Sequence, residues 1–131
     1  LTQRTCDRVP PGIPVRPHRI AGRCPRYCAR MAFHHCVMFR WTDAVDDAHI
    51  AKIQAWLDEL PGTIDTIRRY SHGPNAGINP GTYDYAVVAE FDDAEGYLTY
   101  RDHPYHQQLI RELITDYTAE RAATQFSTAG Q

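Results

Sequence analysis

"YDYAVVAEFDDAEGYLTYRDHPYH", running from Tyr83 to His106, changes its period halfway. Up to Phe91 it alternates: Tyr83, Tyr85, Val87, Ala89 and Phe91 on one side, Asp84, Ala86, Val88 and Glu90 on the other. A period of two is the mark of a strand. After Asp92-Asp93 the alternation stops, and the stretch to His103 reads as a short helix. It breaks before Pro104, because a residue preceding proline is pushed out of the helical region. The proline itself suits the first position of a new helix. That helix is expected to run to about Tyr117, which makes the second helical segment a split one.

Working outward, Phe33 to Trp41 also alternates. His35, Val37, Phe39 and Trp41 share one face; His34, Cys36, Met38 and Arg40 share the other. "TDAVDDAHIAKIQAWLDELPG" follows, with Ile50, Ile53, Leu57 and Leu60 at helical spacing. Asp43, Asp46 and Asp47 suit the positive end of that helix, and Pro61-Gly62 is expected to end it. Ile64 to His72 reads as a second strand, "HGPNAGINPGT" as a loop, and Ala119 to Phe126 as a last strand of weak propensity. The order is β-α-β-β-α-β. This predicts an α+β, ferredoxin-like fold: one four-stranded antiparallel sheet with its helices on one face. The bare face then needs cover, and a second copy of the chain supplies it most economically, so a homodimer through the sheet is expected.

The first thirty residues differ from the rest. They hold five of the nine prolines, three of the four cysteines, seven arginines and one aspartate. With no hydrophobic periodicity they are expected to be a disordered extension. Met31, directly before the first strand, is expected to be the natural start, which gives a domain over 31–127 and a short tail over 128–131. The extension carries about six positive charges, and the formal total of -2 leaves the remainder acidic. An acidic body speaks against nucleic acid as the main partner. No apolar run is long enough to span a bilayer. Cys24 and Cys28 lack zinc-site spacing, and Cys36 is the lone cysteine of the body, so a cytoplasmic protein without metal is expected.

These segments resemble the stress-responsive A/B barrel, or Dabb, family over about Met31 to Phe126. The carriers are "HHCVMFRW", "LDELPGTIDTI", "YDYAVVAEFDDAEGYLTY" and above all "YRDHPYH", which is similar to the family's Tyr-x-x-His-Pro-x-His signature. Gln125-Phe126 departs from the Asp-Phe often found in the family's last strand. The resemblance implies a dimeric α+β barrel but no single activity. It extends, more distantly, to olivetolic acid cyclase-like polyketide cyclases, which close a ring by an aldol condensation using a Tyr and a His. On this chain those two fall on Tyr100 and His106, a further pocket histidine falls on His35, and the one on the third strand is replaced by Tyr85.

The residues support a site of that kind. His106 lies on the stripe His106, Leu109, Ile110, Leu113, Tyr117 and so points toward the sheet. Near a helix N-terminus the dipole disfavours the imidazolium, and burial acts the same way. A neutral histidine is able to accept a proton, and the Tyr100 hydroxyl to donate to a carbonyl oxygen that becomes an enolate. His35, Val37, Tyr70, Tyr85 and Val87 are expected to line the walls, with His103 as a cap or a ligand contact. His34 and His35, being adjacent, face opposite sides of the strand and cannot share a metal. His49 reads as part of a solvated helix face. The expected function is binding of a small carbonyl, polyketide-like or aromatic compound, with cofactor-free cyclase or isomerase chemistry based on His106. The alternative is a non-catalytic, stress-associated binding protein using the same pocket.

Overall fold

A computed structural model describes residues 31–129; the expectations for 1–30 and for the last two residues lie outside that range. The order of elements is β1 (Ala32–Trp41), α1 (Asp47–Thr63), β2 (Ile67–Pro74), β3 (Tyr85–Phe91), α2 (Ala94–Asp102), α3 (Pro104–Leu109) and β4 (Thr118–Thr128). Between α3 and β4 the chain stays helical through a π turn, Ile110–Ile114, and a 3-10 turn, Thr115–Tyr117. All strand pairs are antiparallel, in the order β2-β3-β1-β4. This is the ferredoxin-like arrangement expected from the periodicity.

Each element follows from its residues. In α1, Ile53, Leu57 and Leu60 are buried at i, i+4 and i+7, and the Asp46 side chain caps the helix by accepting from the His49 N–H. In β3, Tyr85, Val87, Ala89 and Phe91 are buried on the helix-facing side. With Val37, Phe39 and Leu109 these residues form one continuous core. Each fully buried Leu, Ile or Phe side chain stabilises the fold by roughly 1.5–3 kcal/mol.

Several boundaries differ from expectation. Helix α1 continues past Pro61 to Thr63, because proline's fixed φ is itself helical and only a hydrogen-bond donor is lost in the final turn. Ile64 then closes the helix, its N–H bonded to the Leu60 carbonyl at 2.8 Å, so β2 starts at Ile67 rather than Ile64. In β3, pairing starts at Tyr85 rather than Tyr83. The last strand is longer than its propensity suggested, Thr118 to Thr128, because β1 offers it a partner almost end to end. Pro104 does start a helix, and helical structure does end at Tyr117, but it widens at Ile110.

The two faces of the sheet are unlike. Helices cover the face carrying His35, Val37, Tyr85 and Val87, while Met38, Val88 and Phe126 on the other face are 41%, 43% and 45% exposed.

Candidate functional site

The helices do not cover the sheet evenly. Helix α1 packs on β2, at the edge of the sheet. Over β1, with β3 and β4 beside it, a cavity of about 470 Å³ opens between the sheet and residues of α1, α2, α3 and the π turn. Its floor is His35, Val37, Tyr85 and Val87 from the two central strands, and its wall includes Tyr97, Tyr100, His106, Leu109 and Ile110. Arg101, Glu120 and Arg121 stand at its edge as exposed residues.

The split of the second helix places His106. At the break, the His103 side chain accepts from the Tyr105 N–H and caps α3, so His103 serves the helix end and does not line the cavity. One turn later the His106 ring lies 4.1 Å, centroid to centroid, from that of Tyr100. Its Nδ1 is 3.0 Å from the Arg101 carbonyl oxygen. A carbonyl can only accept, so Nδ1 carries the hydrogen and Nε2 of the neutral ring is a lone pair. Burial lowers the pKa of His106; the bond to the Arg101 carbonyl works in the opposite direction but is the smaller effect, and a neighbouring His103 also lowers it.

His35 is the second cavity histidine. Only 4% exposed, it stands under Tyr97, with ring centroids 4.8 Å apart. Burial first, then the charge of Arg121, then His106, push its pKa down to about 4. The Gln125 side-chain amide donates to its Nδ1 at 2.8 Å, leaving the hydrogen on Nε2. Gln125 and His35 face each other in register, which explains how the residue that departs from the family pattern comes to serve the site.

Tyr100 is 2% exposed, and its hydroxyl is 2.9 Å from that of Tyr70. Burial pushes the Tyr100 phenol up to about 12 and raises Tyr70 further, so both hydroxyls are neutral. Tyr70 therefore stands behind Tyr100 and does not line the cavity, unlike its expected place in the wall. Tyr85 turns its ring to the cavity while its hydroxyl is held at 2.7 Å by His72 Nδ1. The opposite nitrogen of His72 donates to the Asp58 carboxylate, also at 2.7 Å. His49, expected on a solvated face, instead bonds the Leu113 carbonyl at 2.9 Å and packs on the Tyr117 ring, because α1 lies against the end of the split helix.

Of the residues expected at the site, His35, Val37, Tyr85, Val87, Tyr100 and His106 meet around one cavity. Sequence reasoning missed Tyr97, Gln125 and Arg121. Tyr97 carried a signal, being three residues before Tyr100 on one helix and so on the same face. Gln125 and Arg121 required the β1–β4 register. Among the described residues no group of three His, Cys, Asp or Glu side chains is placed to hold a metal ion. No helix among them is long and apolar enough to cross a membrane.

The family model for the Stress responsive A/B Barrel Domain matches residues 33–128. The Streptomyces coelicolor protein SCO4036 is 33% identical over 87 residues, covering 62% of this chain and 89% of its own length. A crystal structure of a dimeric ferredoxin-like protein from Thermobifida fusca is similar at 35% identity and a TM-score of 0.70, covering 75% of this chain and 92% of that one. The hydroxynitrile lyase of Passiflora edulis is similar in fold, with a TM-score of 0.66 at 14% identity, over 74% of this chain and 93% of its own.

Proposed function

Because this chain belongs to the stress responsive A/B barrel family, we propose that it is a homodimer whose subunits each bind a small carbonyl-bearing aromatic or polyketide-like compound in the cavity. We further propose that His106 acts there as a general base without a cofactor. The carrying observation is the His106 ring itself: half-buried and packed on Tyr100, its Nδ1–H given to the Arg101 carbonyl, its Nε2 left as a lone pair. A neutral imidazole with one nitrogen fixed and one free is what abstraction of a proton next to a carbonyl needs. Tyr100, with its oxygen partnered by Tyr70, is able to accept from Tyr70 and donate to the oxygen that gains charge. The fold carries a lyase in Passiflora edulis, which supports an enzyme reading.

The test is product formation from candidate β-polyketones by the parent, His106→Ala and Tyr100→Phe. The expected losses are about 100-fold or more for the first and smaller for the second. Equal rates in all three would remove both roles. A second reading, non-catalytic binding in a stress-associated protein, is favoured by one contact: the Tyr100 hydroxyl already has a partner in Tyr70. Binding without turnover supports that reading.

The dimer rests on the exposed apolar side chains Met38, Val88 and Phe126 of the bare sheet face and on the dimeric relative from Thermobifida fusca. Val88→Arg is expected to give monomers in analytical ultracentrifugation. A cytoplasmic setting agrees with the free thiol of Cys36.

A further inference from the structure

Several features beyond the His106–Tyr100 pair could carry chemistry, and the charge around the cavity edge is the most telling. Inside, both histidines are neutral, and Tyr85 and Tyr100 keep their protons. Fixed charge is therefore confined to the edge: Arg101, Glu120 and Arg121. Two of these are already matched. Arg101 holds Asp102 through two hydrogen bonds of 2.8 and 3.0 Å, and Glu120 accepts from Arg40 at 2.9 Å. Arg121 has no hydrogen-bond or ion-pair partner among the described residues. It sits opposite Phe39 in the β1–β4 register, on the cavity side of the sheet, two positions along that face from Gln125. Its charge is felt at the buried His35 ring, so it acts toward the interior and not only toward solvent.

We infer that the cavity takes a small aromatic carboxylate, its ring against the aromatic and aliphatic floor and its carboxylate at the Arg121 guanidinium. This rests on the cavity being a ligand site, and it names the ligand's charge. A guanidinium receives a carboxylate through two parallel N–H donors, a geometry that neutral isosteres cannot match. His35, on the cavity floor with its Nδ1 taken by Gln125, keeps an Nε2–H for which no hydrogen-bond partner stands among the described residues. The supply of unpartnered donors fits an acceptor-rich, anionic group.

Benzoate and benzamide are probes of one shape and different charge. Their affinities for the full chain would be measured by titration calorimetry, at low and at high salt. Benzoate is expected to bind about tenfold more tightly than benzamide at low salt, the gap narrowing as salt screens the charge. Arg121→Gln removes the gap and leaves benzamide affinity unchanged, while Arg121→Lys retains part of it. Arg101→Gln leaves the gap intact. Equal binding of the two probes overturns the inference, as does a gap that survives Arg121→Gln or vanishes with Arg101→Gln. If neither probe binds, the cavity reading itself fails, which is distinct from binding without preference for the anion.

Discussion

Two of the histidine–tyrosine pairs on the helix side of the sheet, His72–Tyr85 and His106–Tyr100, differ in what their ring nitrogens do. Under α1, His72 has both nitrogens taken, one by the Tyr85 hydroxyl and one by Asp58. Under α3, His106 has one nitrogen taken by a backbone carbonyl. The first pair ties β2, β3 and α1 together, and nothing is left over for a ligand. The second is oriented by the chain and keeps a lone pair. The comparison teaches that a half-buried histidine is read by counting committed nitrogens, since both rings otherwise look alike as imidazoles beside a phenol.

The largest expected effect separates the packed region from the hollow one. Leu60→Ala, in the packed region and fully buried, is expected to cost about 2–5 kcal/mol in urea unfolding. Ile110→Ala, on the half-buried cavity wall, is expected to cost about 1 kcal/mol, because fewer neighbours are lost. Similar costs at both positions would mean the cavity closes in solution.

The second effect exchanges the roles of the histidines. His72→Ala strands the Tyr85 hydroxyl and is expected to lower stability by about 1–3 kcal/mol while leaving benzamide binding in place. His106→Ala is expected to do the reverse, leaving stability nearly unchanged and removing turnover. A thermal melt and an activity assay on the two proteins check both.

Acid sharpens the contrast further. The folded pKa of His35 lies at about 4, below its ordinary value of 6.5, and that of His106 is also lowered. Each is bound neutral in the native state, so the unfolded chain takes up protons first as pH falls. The stability that burial of the neutral rings permits is present above pH 6.5 and is lost as pH drops from 6.5 toward about 4. The melting temperature is expected to fall across that window, and a flat profile would contradict it.

The smallest effect is local. Gln125→Glu puts a carboxylate at His35 Nδ1 and is expected to raise the His35 pKa by about one unit or more, read by NMR titration of the imidazole.

Much of this architecture is legible in the sequence because it rests on period. The alternation from Tyr83 to Phe91 gave the strand and its inner face, and Pro104 gave the break that aims His106. The roles within the site were less legible. Nothing local distinguishes Tyr70 from Tyr85, since both sit on inner strand positions. Only the lateral place of β2, beyond β3 from the cavity, puts Tyr70 behind Tyr100. Gln125 and Arg121 belong to a strand of weak propensity whose faces are assigned by its pairing with β1, a contact some ninety residues away in the chain. The widened turn after Leu109 gave no composition signal, because Ile110 to Ile114 fits a regular helix equally well.

That π turn carries one residue more than a regular helix would need over the same span, its Thr115 N–H reaching back to Ile110. Ile110, Ile114 and Thr115 all border the hollow. Removing a single residue there would restore the ordinary winding and keep the residues after the bend close to their present orientation, so that the change falls on the wall of the hollow and the sheet is untouched. Deletion or insertion at this bend is thus a dial by which lineages with the same strands would acquire chambers of different size.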